Sequence, residues 1–238
     1  MNWNEQEWHW TNESRMVILT GAGVSAESGI ATFRDSGGLW ENHRVQDVAT
    51  PEGFIQDPNL VIEFYNQRRA ELAGVNPNPA HLSLAALQKK LGEERCFLIT
   101  QNIDDLHQRA GSSQVLAMHG ELKKIRCLNN KNHVIDFEGK QTRDTLCPEC
   151  SSLMRPHIVW FGETPFEMDL IFERLRNCTH FIYIGTSSVV YPAAGFRDIA
   201  RSSGAKILCI NPDGSGVPSS DFLIVEKAGE ALPALKLA

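Results

Sequence analysis

A glycine-rich turn near the beginning of the chain has the composition of a phosphate-binding turn. From residue 21 the sequence reads Gly-Ala-Gly-Val-Ser-Ala, so Gly21, Gly23 and Ala26 fill the defining positions of a G-x-G-x-x-[GA] pattern. Glycine permits positive φ and close backbone approach, and bare amides at such a turn and helix start would face an anionic pyrophosphate. An ordinary glycine-rich turn fits this short pattern equally well, so the turn alone is a weak signal.

The residues after the turn break the expected helix early. Gly29 interrupts it, and residues 36–38 read Ser-Gly-Gly, which is typical of a flexible segment. Phe33 and Arg34 are therefore expected on a loop beside the turn. Arg34 could meet phosphate or ribose oxygens and Phe33 could shield a reactive carbon, so we expect this loop to cover a bound cofactor.

Polar side chains follow several apolar runs along the chain. Asp104, His119 and the pair Thr186 and Ser187 each come shortly after such a run. Open α/β sheets bind ligands at the carboxyl ends of their strands, and small hydroxyl residues there suit ribose and phosphate. A histidine has an ordinary pKa of about 6.5, so His119 could act as a base near neutral pH. The simpler interpretations are that His119 is structural and that Asp104 caps a helix.

Tyr65 and Arg68 are three residues apart on a predicted helix at residues 59–72, so they project from one face of it. A guanidinium fork and a phenol at one spot suit a carboxylate ligand. The spacing alone fits a solvated helix face better than a binding site. Arg69 has no evident partner and is expected at the surface.

Cysteines bound a polar segment in the second half of the chain. Cys147 and Cys150 flank Pro-Glu in a knuckle with metal-ligand spacing, and a structural zinc site needs a second pair about 20 residues away. That second pair is incomplete, because Cys127 is followed at the expected place by Asn130. Either zinc is held by the three cysteines and a fourth group such as His133, or the segment folds without metal.

The apolar runs alternate with helical patterns, which predicts an α/β fold with a Rossmann-like parallel sheet. Such runs include residues 16–20, 95–100, 181–184 and 205–210. The expected Rossmann-like domain comprises residues 1–40, 77–124 and 155–238. A smaller domain is expected from a helical module at 41–76 and a zinc-ribbon-like module at 125–154.

The motifs, taken together and in order, resemble those of the sirtuins, the Sir2 family of NAD-dependent protein deacylases. The resemblance covers nearly the full chain. The motifs that match are the stretch 21–40, Gln-Asn-Ile-Asp at 101–104, His-Gly at 119–120 and Arg-Pro-x-x-Val-x-Phe-Gly-Glu from residue 155. The strings Asn-Gln-Arg-Arg and Val-Tyr-Pro-Ala-Ala-Gly-Phe resemble the bacterial CobB type in particular.

The resemblance implies a role for each matching residue. His119 would be the catalytic base, and Asn102 and Asp104 would hold the ribose and carboxamide of nicotinamide. Tyr65 and Arg68 match the subclass that accepts succinyl, malonyl or glutaryl lysine. The acyl-lysine tunnel would be lined by Val159, Trp160, Phe161 and Gly162. The NAD-contacting residues would be Gly21, Ala22, Gly23, Ser25, Ala26, Phe33, Arg34, Trp40, Gln101, Asn102, Ile103, Asp104, Gly185, Thr186, Ser187, Asn211 and Ala228.

The resemblance also implies a structural zinc ion at Cys127, Cys147 and Cys150. Sirtuins generally use four cysteines in this module, so the chain departs from the family pattern at Asn130. The fourth ligand is therefore open at this stage.

The implied activity is NAD-dependent lysine deacylation, both deacetylation and desuccinylation, with release of nicotinamide, O-acyl-ADP-ribose and free lysine. A hydride-transferring dehydrogenase is a rival, but no ribose-binding acid follows at a plausible strand end, since Glu41 falls in a polar link. A non-catalytic NAD or ADP-ribose sensor is another rival. Such a sensor is expected to lack His119, Asn102 or Asp104, and all three are present.

The resemblance implies acyl-lysine proteins as partners, and composition argues against two other classes of partner. The 238-residue chain has a net charge of −6 and no clustered basic stripe, which argues against nucleic-acid binding. Its apolar runs are too short to span a bilayer, and the first 13 residues lack the pattern of a secretion signal. We therefore expect no membrane association, a cytoplasmic location and a monomer.

Overall fold

The computed structural model describes residues 8, 10–11, 13–31, 39–40, 43–186 and 191–235. Three residues assigned to the NAD site, namely Phe33, Arg34 and Ser187, lie outside the described residues.

Short apolar runs form a parallel six-stranded sheet, which confirms the predicted α/β fold. The strand order is β11-β10-β9-β1-β4-β5. The chain extends from β1 through β4 to β5 on one side and then continues through β9, β10 and β11 on the other. The boundary between β1 and β9 is therefore a topological switch point, where open α/β sheets bind ligands. The strands are β1 (Met16–Thr20), β4 (Cys96–Thr100), β5 (Val115–Ala117), β9 (His180–Ile184), β10 (Lys206–Ile210) and β11 (Phe222–Ile224).

Helices cover both faces of this sheet. Leu84 and Leu232 pack on one face together with Ile18, and Ile171 and Phe196 pack on the other. Among the described residues, no helix combines the length and apolar character needed to cross a bilayer. The helices are α1 (Ala22–Ala26), α2 (Val45–Val48), α3 (Pro51–Gln56), α4 (Pro58–Leu72), α5 (Pro79–Leu91), α6 (Leu106–Arg109), α7 (Met168–Asn177), α8 (Phe196–Ser202) and α9 (Ala228–Ala234).

A second, antiparallel sheet stands apart from the parallel one and has the order β7-β6-β8. Its strands are β6 (Gly120–Cys127), β7 (Val134–Asp136) and β8 (Met154–Ile158). A further hairpin pairs β2 (Leu39–Trp40) with β3 (His43–Arg44). A separate apolar cluster joins helix α4 to β6 and to the residues after β8, through Phe64, Tyr65, Leu122 and Trp160.

Arg69 is buried, so the expectation that it lies at the surface is wrong. Its guanidinium donates to the side chain of Asn66 at 2.7 Å and to the carbonyl of Leu122 at 3.3 Å. It also lies 5.4 Å from the ring centroid of Phe137. The antiparallel sheet covers this face of α4, and the contacts with Leu122 and Phe137 come from sequence positions far from the helix.

Two glycine turns meet at the switch point with no room for a side chain. A Cβ atom on Gly23 would lie 2.7 Å from the Cα of Gly185. Gly185 itself has φ of +59°, and a Cβ there would lie 2.6 Å from the amide nitrogen of Val24. The turn after β1 and the turn after β9 therefore touch backbone to backbone, which only glycine allows.

Gly23→Ala should lower the free energy of unfolding by about 1–3 kcal/mol, because the added methyl group overlaps backbone that cannot move aside. Gly74→Ala is the matched control, since a Cβ there would lie 3.5 Å from its nearest neighbour, the carbonyl oxygen of Glu71. We expect this control to stay within about 0.5 kcal/mol of the parent chain. Urea unfolding of both variants measures the difference, and equal stabilities would contradict the backbone contact.

Candidate active site

Gln101 connects the ends of three strands of the parallel sheet. Its main-chain carbonyl lies 2.9 Å from Nδ1 of His119, and its side-chain amide donates to the hydroxyl of Thr186 at 2.9 Å. Asn211, at the end of β10, donates to the carbonyl of Thr186 at 2.9 Å. The structure thus brings together four residues that the sequence placed in one site.

The ring of His119 is oriented for proton acceptance. Because a carbonyl oxygen can only accept, Nδ1 carries the hydrogen in the bond to Gln101, which leaves the lone pair on Nε2. Burial lowers the pKa of His119 below its ordinary value, and the hydrogen bond to Gln101 opposes this only in part. His119 is therefore neutral at physiological pH and can act as a base through Nε2.

The backbone beside His119 is fixed by the neighbouring chain. Gly120 has φ of +90°, and a Cβ there would lie 2.0 Å from the carbonyl oxygen of His157. The amide of Val159 donates to the carbonyl of His119 at 2.8 Å. Packing thus requires glycine at position 120, and the backbone hydrogen bond ties His119 to the segment assigned to the acyl-lysine tunnel.

Ser25 links Asn102 and Asp104 of the Gln-Asn-Ile-Asp motif through two hydrogen bonds. Its hydroxyl accepts from the side chain of Asn102 at 3.0 Å and donates to Asp104 at 2.9 Å. Asp104 also accepts from the amide of Leu106 at 3.1 Å, so it supports the start of α6 as well as the site. Burial raises the pKa of Asp104 above its ordinary value. The carbonyl of Ile103, which lies between Asn102 and Asp104 in the sequence, accepts from the amide of Leu122 at 2.8 Å.

The sequence analysis expected bare amide groups at the glycine turn, but the amides of Gly21 and Gly23 are hydrogen-bonded within the protein. Gly21 donates to the carbonyl of Ile184 at 3.0 Å, and Gly23 donates to that of Gly185 at 2.8 Å. These two amides are therefore occupied by the contact between β1 and β9 and are not bare. Helix α1 does end early, at the exposed Ala26, as the sequence predicted.

Two other assigned residues frame this turn. Ala22 is the first residue of α1 and is partly buried, and Ala228 is the buried first residue of α9. The amide of Gly229 donates to the Glu27 carboxylate at 2.8 Å, so α9 begins against the end of α1. Ala228 is thereby placed beside the glycine turn.

Tyr65 and Arg68 share a helix face but have different partners. The indole nitrogen of Trp160 donates to the hydroxyl oxygen of Tyr65 at 3.0 Å, and both side chains are buried. Arg68 donates to both carboxylate oxygens of Glu71, at 2.8 and 2.7 Å. The Nη1 atom of Arg68 is buried and makes no hydrogen bond within the described part of the chain. Trp40 packs edge-on against Tyr65, with ring centroids 6.0 Å apart.

Trp160 is held by a charged network that the sequence analysis did not identify. The guanidinium carbon of Arg155 lies 3.2 Å from the indole centroid of Trp160. Glu163 accepts from Arg155 at 2.7 Å, from Arg126 at 3.0 Å and from the amide of Trp160 at 2.9 Å. The Arg and Glu of the segment that starts at residue 155 were the available signal for it. Phe161 is half exposed after Trp160, and Gly162 has φ of +88°.

Three cysteines converge at the end of the antiparallel sheet. The sulfur atoms of Cys127, Cys147 and Cys150 all lie within 4.8 Å of one another. The sulfurs of Cys127 and Cys150 are 3.5 Å apart, which is close to the edge of a tetrahedral zinc–thiolate site. The donor set fits Zn²⁺, and these three residues would hold it for a structural purpose.

Comparison with known proteins decides the family. A family model described as the Sir2 family matches residues 21–192, more than half of the chain. This chain belongs to the Sir2 family. It is therefore a Sir2 family enzyme, and the resemblance to the bacterial CobB type fits this result.

Individual Sir2 relatives match over most of the chain. One from Pasteurella multocida (strain Pm70), named NAD-dependent protein deacylase, is 50% identical over 228 residues, which are 94% of this chain and 97% of the relative. Another of the same name, from Vibrio cholerae serotype O1, is 54% identical over 207 residues, 86% of this chain and 84% of the relative. A solved structure of a Sir2 homolog–NAD complex is 40% identical with a TM-score of 0.83, and covers 94% of this chain and 89% of that chain.

The lowered pKa of His119 predicts the acid side of the pH–rate profile of this Sir2 enzyme. A base whose pKa lies below the ordinary value of about 6.5 becomes protonated only at lower pH. If His119 is the catalytic base, the acid limb of NAD-dependent kcat/KM on an acyl-lysine peptide should therefore be centred below about pH 6.5. Circular dichroism at each pH controls for unfolding. An acid limb centred above pH 6.5 in folded protein would contradict this environment for His119.

Proposed function

We propose that this Sir2 enzyme removes acyl groups from lysine side chains of proteins and consumes NAD in the reaction. The observation that carries the proposal is the hydrogen bond from His119 to the Gln101 carbonyl. It leaves Nε2 of a neutral imidazole as the base, and it joins His119 to Gln101, which directly precedes Asn102 in the chain and reaches Thr186 at the end of β9. The Sir2 homolog solved with NAD supports this choice of co-substrate.

The proposed chemistry needs one base and a site that holds the ribose. NAD supplies the ribose carbon that the acyl-lysine carbonyl oxygen attacks as nicotinamide leaves with the electron pair of its C–N bond. His119 then takes a proton at Nε2 from a ribose hydroxyl, whose oxygen adds to the acyl carbon. The bond between the acyl carbon and the lysine nitrogen then breaks, and lysine leaves as the protonated amine. Water adds to the acyl carbon as the bond from that carbon to the former amide oxygen breaks, so this oxygen stays on the ribose and O-acyl-ADP-ribose is released.

The residues around His119 have positioning tasks in this scheme. Asn102 and Asp104 are joined through Ser25 and would hold the nicotinamide ribose and carboxamide. Gln101 orients the imidazole and donates to Thr186, so it links the base to the turn after β9. Val159 and Trp160, tied to His119 and Tyr65, would bring the acyl-lysine to the same place.

We further propose that the acyl pocket accepts dicarboxylic acyl groups such as succinyl. The buried Nη1 of Arg68 has no hydrogen-bond partner within the described residues, and a substrate carboxylate would supply one. Trp160 donates into the hydroxyl oxygen of Tyr65, so the hydroxyl hydrogen is free to donate to the same carboxylate. An acetyl group offers no carboxylate and would leave both donors unused.

The double variant Tyr65→Phe with Arg68→Met should lower kcat/KM for a succinyl-lysine peptide at least about 100-fold, because two donors to one buried carboxylate are lost. Acetyl-lysine turnover should change less than about 5-fold. Initial rates of nicotinamide release on matched peptides measure both.

Two control variants accompany this experiment, one expected to lose both activities and one expected to keep both. His119→Ala should lose turnover of both peptides while the far-ultraviolet circular dichroism stays unchanged. Arg44→Met removes an exposed arginine paired with Asp47 and should leave both rates unchanged. Equal losses on both peptides in the Tyr65 and Arg68 variant would show that the pair supports α4 and does not read the acyl group. Turnover by His119→Ala would overturn the proposed base.

We also propose a structural zinc ion at Cys127, Cys147 and Cys150. The support is the mutual approach of the three sulfur atoms in a segment with few large apolar side chains. Among the described residues, its small core contains Met154 and the partly buried Phe137 besides the two buried cysteines and Ile125. A metal would therefore add stability that apolar packing supplies weakly.

A further inference from the structure

A buried charged cluster lies beside Trp160 and has no task in the reaction proposed above. Glu163 accepts from Arg155 at 2.7 and 3.0 Å and from Arg126 at 3.0 and 3.1 Å. Both arginines are buried. Within the described part of the chain, Glu163 is the only carboxylate that pairs with either guanidinium. Two positive charges therefore face one negative charge, so the cluster has an excess of one positive charge.

The indole ring of Trp160 connects this cluster to the proposed acyl pocket. The guanidinium carbon of Arg155 lies 3.2 Å from the ring centroid, and the backbone amide of Trp160 donates to Glu163 at 2.9 Å. The same ring donates from its nitrogen to the hydroxyl of Tyr65 at 3.0 Å. Charged groups thus hold Trp160 by its ring face and its backbone, while its ring N–H bonds to a residue of the pocket.

The hydrogen bond between Trp160 and Tyr65 has only one possible direction. An indole nitrogen carries a hydrogen and cannot accept, so the Tyr65 oxygen is the acceptor. Burial raises the pKa of Tyr65 above its ordinary value, so the phenol keeps its own hydrogen at physiological pH. Trp160 therefore sets the hydroxyl of Tyr65 as a donor to whatever acceptor enters the pocket.

The excess positive charge strengthens that donor. The face of an indole ring attracts a cation such as Arg155, and hydrogen bonds in a chain polarise one another in a low-dielectric interior. The N–H of Trp160 then donates more strongly to Tyr65, whose hydroxyl donates more strongly to a ligand. A buried charge is also screened little by salt, so it acts beyond its immediate neighbours. A carboxylate ligand gains from both effects, and a neutral group of the same shape gains far less.

We propose that Trp160 and the cluster of Arg126, Arg155 and Glu163 determine the preference of this enzyme for anionic acyl groups. Trp160 makes Tyr65 a donor, and the excess positive charge favours a negative charge at the end of the acyl chain. The proposal rests on the dicarboxylic acyl pocket proposed above. It extends the determinants of specificity from residues that would contact the acyl carboxylate to side chains that act through Trp160.

A pair of matched substrates isolates the effect of charge. Peptides that carry succinyl-lysine or its primary amide, succinamoyl-lysine, have nearly the same shape and differ by one negative charge. Initial rates of nicotinamide release at saturating NAD give kcat and KM for each peptide. The parent chain should prefer the succinyl peptide by about 100-fold in kcat/KM, because hydrogen bonds to a charged acceptor are stronger than those to an amide.

Trp160→Phe keeps an aromatic ring beside Arg155 and removes the N–H. It should lower the preference for succinyl over its amide about 10-fold, mainly as a higher KM for the succinyl peptide. In a Tyr65→Phe background the same change should not lower the preference further, because the hydroxyl through which it acts is gone. Trp10→Phe is the matched control, since it alters an indole beside Lys90, and it should leave the preference unchanged.

Arg126→Gln tests the role of the charge. It leaves Arg155 and Glu163 as a neutral pair and should lower the preference about 3–10-fold, while turnover of the neutral amide peptide stays within about 3-fold of the parent. Arg176→Gln is the matched control, because it removes an exposed arginine beside Phe172 on α7. It should leave both rates unchanged.

The outcomes separate this proposal from those on which it rests. No nicotinamide release with any acyl-lysine peptide overturns the deacylase function. A parent chain that deacylates but does not prefer succinyl over its amide overturns the dicarboxylic pocket, and this proposal with it.

If the parent prefers succinyl, the variants decide. A preference that survives Trp160→Phe in folded protein, including equal losses on both peptides, overturns the role of Trp160. A preference that survives Arg126→Gln overturns the role of the charge. If circular dichroism shows Trp160→Phe to be unfolded, Arg126→Gln decides alone, with a lowered preference supporting the proposal and an unchanged one opposing it.

Discussion

The close approach of two glycine turns is the constraint on which the site depends. Gly23 and Gly185 touch backbone to backbone, with no space for a Cβ on either. This contact fixes the ends of β1 and β9, the strands that flank the switch point. Thr186 follows directly, and through it the hydrogen bonds of Gln101 and Asn211 reach the ends of β4 and β10. The amides of Gly21 and Gly23 donate to carbonyls of the β9 end, so the glycine turn holds the ends of β1 and β9 together.

The two sheets supply different parts of the proposed reaction. The parallel sheet positions Asn102, Ser25 and Asp104, which are joined by hydrogen bonds. The antiparallel sheet begins at Gly120, directly after His119, and its strand β8 ends directly before Val159. His119 stands at the junction, bonded to Gln101 on one side and to Val159 on the other. In the proposed reaction, a base at this junction would contact both the ribose and the acyl-lysine, which a transfer between the two requires.

The sequence predicted those strands and helix ends that depend on residues close together in the chain. The apolar runs became the strands of the parallel sheet, and the early end of α1 followed from the residues around Gly29. Arg69 was misplaced because it is buried by the antiparallel sheet, where the carbonyls of Leu122 and Gly139 that accept from it are 53 and 70 residues away; only Asn66 is a local partner among the described residues. The support of Trp160 by Arg155 was missed for a similar reason, since the stacking depends on how the chain turns after β8. The roles of the site residues came from family resemblance, and geometry adds their tautomers and partners.

The fate of the oxygen atoms tests the proposed reaction most directly. An acetyl-lysine peptide and NAD are incubated with the enzyme in ¹⁸O-labelled water, and the products are analysed by mass spectrometry. We predict equal amounts of nicotinamide, free lysine peptide and O-acetyl-ADP-ribose, with one solvent oxygen in the acetyl carbonyl and the peptide's own oxygen retained on the ribose. Labelled free acetate with intact NAD, or reduced nicotinamide in place of nicotinamide, would contradict the account.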